Sequence, residues 1–169
     1  MDDPAGNLYA LFQSRFPEDR GACLLRLADG REISYAEMEE AVGRLTALFR
    51  RLGLEPGARI AAQVEKSPEN LFLYLAIVKA GCVLLPLNTA YTDDAVGYFL
   101  GDAEPDLLVC QPDRAGALEK VAANAGVGRV LTLGGDGSGS LMEAAAQLTA
   151  DPEVAPLSLI HISEPTRPY

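Results

Sequence analysis

The chain has 169 residues, 49% hydrophobic and 22% charged, enough to bury a core and too apolar for a disordered segment. Its formal charge of −10 repels a phosphate backbone and an anionic lipid surface alike, which argues against general nucleic-acid binding and membrane attachment.

In chain order, MDDPAGNLYALF opens with acids where a secretory signal needs bases, so a cytoplasmic protein is expected. Asn7 is placed to cap a first helix on which Leu8, Leu11 and Phe12 share a face. ACLLRL and REIS flank Asp29-Gly30, a pair that supplies the positive φ angles of a tight hairpin. Ser34 and Glu37 then form an S-x-x-E capping box. Val42, Leu45, Phe49 and Leu52 make one helical stripe, and Gly53 stands where a left-handed cap ends it.

Pro56-Gly57 turns the chain into the strand ARIAAQV, after which Ser67, Pro68 and Glu69 start a helix that Gly81 closes. The run LFLYLAIVKAGCVLLPLN is broken by Lys79, Gly81 and Pro86, short of the roughly 20 apolar residues of a membrane helix, so no membrane insertion is expected. It reads as a buried helix followed by CVLLPL, a strand expected to be covered on both faces. Thr92, Asp93 and Asp94 begin another helix. DLLVC is a buried strand, 112–125 a helix stopped by Gly126, GRVLTL the last strand and LMEAAAQL the last helix. Strands alternating with amphipathic helices predict an α/β fold on a mainly parallel sheet.

Chemistry is harder to place. Cys23, Cys82 and Cys110 are far apart and each lies in an apolar run, without C-x-x-C spacing, and read as reduced core thiols. GGDGSGS, 134–140, follows a strand and precedes a helix, as a phosphate loop would, but lacks the lysine of that motif and reads as a flexible connector. Lys66 beside Glu65 reads as a solvated pair at a helix entrance. Asn88, Thr89 and Tyr91 follow a strand, where they can serve a ligand or the turn itself, and the turn is the preferred reading. None of these supplies a nucleophile, an oriented base or a metal set, so no catalytic, cofactor-binding or metal residue is assigned.

The landmarks taken together go further. Y-A-E from Tyr35, the L-G-L-x-P-G-x-R turn, K-S-P-E-N, L-A-I-V-K-A-G and P-L-N resemble the N-terminal region of the AMP-forming acyl-CoA synthetases over about 7–133. AAQVEKS, LPLNTAYT and DAEPDLLVC resemble the malonyl-CoA synthetases in particular. The resemblance implies part of the large N-terminal, adenylate-forming domain. It also implies a parent enzyme that joins a carboxylate, here malonate, to CoA with ATP and Mg²⁺. In this family the lysine-ending phosphate loop and the later catalytic motifs lie beyond the matching region, so this chain alone is expected to be inactive and to bind none of these cofactors. Two other readings stay open: a ligase for a medium-chain fatty or aromatic acid, and a non-catalytic α/β binding module.

The last thirteen residues break with the rest, having neither Ala nor Gly and containing the protein's sole histidine, His161. LSLIHISEPTR, residues 157 to 167, resembles the translation of the transposase-end adapter used in short-read DNA libraries. The expected organisation is therefore a partial adenylate-forming domain over 1–156 and an artefactual tail over 157–169, with no function for His161.

Overall fold

The structure, a computed structural model, describes residues 6–156; the tail and His161 lie outside the described residues. Helix α1 (Leu8–Gln13) is followed by the antiparallel strands β1 (Cys23–Arg26) and β2 (Glu32–Ser34), then by α2 (Tyr35–Arg51). The rest alternates as read: β3 (Arg59–Gln63), α3 (Pro68–Lys79), β4 (Val83–Pro86), α4 (Asp93–Ala103), β5 (Leu107–Cys110), α5 (Ala115–Asn124), β6 (Val130–Thr132) and α6 (Ser140–Ala146). Strands β3 to β6 form one parallel sheet in the order β4-β3-β5-β6.

Period-2 alternation divides the strand side chains between two cores. Ile60, Ala62, Leu107 and Val109 face a core shared with α1, α2, α3, α6 and the hairpin. Ala61, Leu108 and Cys110 face a second core built with α4 and α5. Both faces of β3 and β5 are covered, which is why RIAAQ and LLVC read as apolar runs rather than as alternating strands.

The helix punctuation is where the sequence places it, but of the Asp29-Gly30 pair only Gly30 has positive φ (+88°), because the connection is a longer loop, 27–31, closed by Leu27 N–H on the Arg31 carbonyl. Asn7, Ser34, Ser67 and Thr92 each accept a backbone N–H at a helix start, and Ser34 with Glu37 completes the capping box. Gly53, Gly81 and Gly126 carry the left-handed φ that ends the preceding helix. At α3 the Ser67 hydroxyl accepts from Asn70 N–H at 3.1 Å. Ser67→Ala is expected to cost about 1 kcal/mol and Ser67→Gly only a few tenths, since glycine relaxes the cap backbone for water. Urea melts of the two variants check the ordering.

Leu8, Leu11 and Phe12 share a face as read, and it is the exposed one, with Tyr9 and Ala10 inside. Three expectations need correction. Strand β4 is an edge strand, its ends exposed and its middle half-buried, because β3 covers just one of its sides. The segment 112–125 is a 3-10 turn, Pro112–Arg114, leading into α5. Cys23 is exposed and Cys82 intermediate, leaving Cys110 as the one fully buried thiol of the three.

Candidate functional site

From β3 the chain passes through α3 to β4 on one side, then through α4 to β5 on the other. The carboxyl ends of β3 and β5 are therefore the topological switch point, where the sheet of an α/β protein opens a crevice for ligands. Glu65 and Gln111 meet across it, the Gln111 amide donating to the Glu65 carboxylate at 3.0 Å, while Asn70 donates to the Glu65 carbonyl at 3.1 Å. Glu65 is thus tied to the neighbouring strand end rather than to Lys66, and both residues are exposed.

The glycine-rich loop 134–140 reaches the same edge, where a Cβ on Gly135 would touch Glu65 at 3.5 Å. It is closed on itself. Gly134 N–H donates to the Ser138 carbonyl and Gly137 N–H to that of Gly134. Ser138 donates from N–H and hydroxyl to the Asp136 carboxylate at 3.0 and 2.6 Å. Those two donors hold the Asp136 carboxyl below the usual carboxylate range. Four donors of the loop are thus engaged within it, two on the Asp136 carboxylate and two on backbone carbonyls.

Asn88, Thr89 and Tyr91 sit beside the switch point as their strand-end position implies. The Asn88 side chain accepts from Ala90 N–H at 2.9 Å, and Tyr91 N–H donates to the Asn88 carbonyl. Thr92 caps α4. Of the three side chains the turn takes up that of Asn88, while the Tyr91 ring stacks on Phe99. Among the described residues no cluster of His, Cys, Asp and Glu is arranged to hold a metal ion. No described helix is long and apolar enough to cross a membrane.

Two polar residues escaped the sequence reading. Gln63, 2% exposed at the inner end of β3, donates to the carbonyls of Asn88 at 2.9 Å and Tyr91 at 3.4 Å, pinning the loop after β4. Two carbonyl acceptors fix which way its amide points, and its Oε1 has no partner among the described residues. The signal was a Gln closing an otherwise apolar strand. Lys79, 3% exposed, donates to the Asp151 carbonyl and stands 5.6 Å from the Tyr9 ring. With Asn7, which donates to the carbonyls of Val78 and Ala155, it holds residues 151–155 across the helix layer. Arg50 binds the Asp151 carboxylate at 2.7 Å in the same strap. Burial lowers the Lys79 pKa, opposed by the Asp151 charge.

A family model described as AMP-binding enzyme matches residues 12–165. The chain belongs to the AMP-binding enzyme family. Its fold is that of the N-terminal domain of adenylate-forming enzymes, as the motif resemblance implied and in keeping with the α/β reading. MatB from Rhodopseudomonas palustris, solved without ligand and with ATP bound, shares 43% identity at a TM-score of 0.84 over 90% of this chain. A benzoate CoA ligase from Burkholderia xenovorans LB400 shares the fold at a TM-score of 0.72 and 21% identity over 89% of the chain, and 30% of its own. Enterobactin synthase component F of Escherichia coli K12 is 44% identical over 92 residues, 52% of this chain. The chain spans 30% of MatB and 7% of the enterobactin synthase component.

At the switch point of this family member Glu65 is held by Gln111, and the Asn88 side chain is bonded to the backbone of its own turn.

Proposed function

We propose that the chain is the N-terminal part of an ATP-dependent, AMP-forming acyl-CoA ligase that activates malonate, converting malonate, ATP and CoA to malonyl-CoA, AMP and pyrophosphate. The observation that carries this reading is the joint occurrence of the motif set from Tyr35 to Asn88 and 43% identity to MatB along nearly the whole chain. The benzoate ligase shares the fold at 21% identity, which gives an aromatic acid no comparable support.

A carboxylate is a poor acyl donor because oxide is a hopeless leaving group, so ATP is spent to form an acyl-adenylate, and the CoA thiol then displaces AMP. Cations and donors must surround the phosphates while two anions meet. The loop and later motifs that supply them in this family lie beyond the matching region, so ATP, Mg²⁺ and CoA are assigned to the parent enzyme. The 169-residue chain is the supporting scaffold, and the parent is cytoplasmic with no nucleic-acid partner. The domain boundary at 156 and the adapter origin of 157–169 are part of this proposal; the family match extends to 165, so the junction itself decides.

Source DNA sequenced outward from the codons for PLNTAYT, without transposase adapters, is expected to run past Pro156 into a glycine-rich, lysine-ending loop. The full-length product is expected to catalyse malonate-dependent exchange of pyrophosphate into ATP and to prefer malonate over benzoate or octanoate by about 10²-fold or more in kcat/KM. The 169-residue chain is expected to catalyse none. Mutation-sensitive exchange by the short chain would overturn its inactivity, a preference for octanoate or benzoate would replace the substrate, and stoichiometric nucleotide binding without exchange would favour a binding module.

A further inference from the structure

Strand β3 is apolar from Ile60 to Ala62, all three buried, and then Gln63 brings a primary amide to its carboxyl end, 2% exposed. The amide is a burden on the fold. Its Oε1 is buried with no partner among the described residues, a desolvation penalty that an apolar side chain of the same size would not carry. Turning the amide over gives no relief, because Oε1 would then face two carbonyl oxygens. What the amide does is hold one turn. Its Nε2 donates to the Asn88 carbonyl at 2.9 Å and to the Tyr91 carbonyl at 3.4 Å, the two ends of the turn that follows β4. The rest of the turn is built on those anchors: Tyr91 N–H donates to the same Asn88 carbonyl, Ala90 N–H donates to the Asn88 side chain, and the Tyr91 ring stacks on Phe99.

We propose that Gln63 is a positioning residue of the parent ligase, which fixes the 88–91 turn beside the switch point in its binding-ready form before a substrate arrives. The proposal rests on the ligase reading. A rim made in advance spares the substrate the free energy of ordering it, whereas a rim populated for a fraction of the time weakens apparent affinity by that fraction. Gln63 itself lies too deep to meet a substrate, and its amide nitrogen is engaged with the turn. Its loss therefore acts on KM and leaves kcat. A residue that merely filled the core would do the opposite, since destabilisation removes active enzyme and lowers kcat while KM holds.

The test is Gln63→Met in the full-length ligase. Methionine is close in volume, cannot donate and removes the orphan acceptor, so the variant is expected to fold. With malonate, ATP and CoA each varied against the other two at saturation, the KM of the substrate that borders the turn is expected to rise about tenfold with kcat held within about twofold. Gln63→Asn keeps an amide one methylene too short to reach both carbonyls, and it is expected to move the same KM in the same direction. In hydrogen exchange without substrate, the Ala90 and Tyr91 N–H groups of Gln63→Met are expected to exchange about tenfold faster, while the amides of β3 and β5 keep their rates. Three unchanged KM values in both variants overturn the proposal, as does a fall in kcat with every KM held. An active ligase with either result sinks the positioning role and leaves the ligase reading standing. A wild-type parent that makes no acyl-CoA sinks the ligase reading, and the exchange rates then judge the hold on the turn: faster exchange upholds it and unchanged exchange overturns it.

Discussion

Gly139→Ala is expected to cost about 3 kcal/mol or more of folding free energy, several times the effect of an ordinary loop substitution. Gly139 precedes α6 with φ +118° and ψ 165°, a region essentially closed to residues with a Cβ. An added Cβ would stand 2.8 Å from the Thr132 carbonyl carbon and 2.9 Å from its hydroxyl, against backbone that cannot swing aside. The same approach lets Thr132 and Ser140 tie strand to helix. Thr132 N–H donates to the Ser140 hydroxyl at 3.0 Å and Ser140 N–H to the Thr132 hydroxyl at 2.9 Å. A methyl group at 139 forces both bonds apart, so backbone strain and lost bonds act together. Gly128→Ala is the control, since its φ is ordinary and no atom lies within 4 Å of the added Cβ. It is expected to be neutral or to gain a few tenths of a kcal/mol. Urea midpoints of the two variants give the comparison, and equal midpoints would show that the loop relaxes.

Local signals were legible because their causes are local. A helix start is a side-chain oxygen two or three residues from the N–H it accepts, so Asn7, Ser34, Ser67 and Thr92 could be read without knowing the fold. Orientation was not legible in the same way. Periodicity shows that Leu8, Leu11 and Phe12 share a face, but which face turns inward is decided by Asn7 bonding to Val78 and Ala155, far along the chain. The same holds for β4, where an apolar run sits at an edge because β5 takes the other side of β3. Lys79 looked like an interruption of an apolar helix; its meaning is the carbonyl of Asp151, 72 residues later. The candidate site was legible to a similar degree. Position after a strand placed Glu65, Lys66, Asn88 and Tyr91 at one edge, while the partner each side chain takes, Gln111 for Glu65 above all, needed the sheet order.

Between pH 9 and pH 12 the protein is expected to lose stability by a route that the buried acids Cys110 and Tyr9 control. Burial, assisted by Glu119, pushes the Cys110 thiol from 9.0 up to about 11. Burial, assisted by Glu39, pushes the Tyr9 phenol from 10.0 up to about 12. Each folded-state pKa is raised above its unfolded value, so each contribution is complete below the unfolded pKa and is lost as pH rises through the folded one. For Cys110 a shift of this size corresponds to about 2 to 3 kcal/mol, lost from pH 9 to 11. Lys79 works the other way. Its pKa is lowered, so its burial penalty is present while it is charged in both states and fades as pH climbs toward the unfolded value of 10.5. Burial, assisted by Asp106, raises the half-buried Cys82 thiol to about 11 as well, and three raised acids against one lowered base leave a net loss. Cys110→Ala separates the contributions: with reductant present it is expected to trail the wild type by about 1 kcal/mol at pH 8.5, from the lost sulfur contacts. At pH 11 the order reverses, because the variant has no thiol for the unfolded chain to ionise. Parallel pH profiles for the two proteins would show that the thiol reaches water in the folded state. The alkaline loss would then rest on Tyr9 and Cys82.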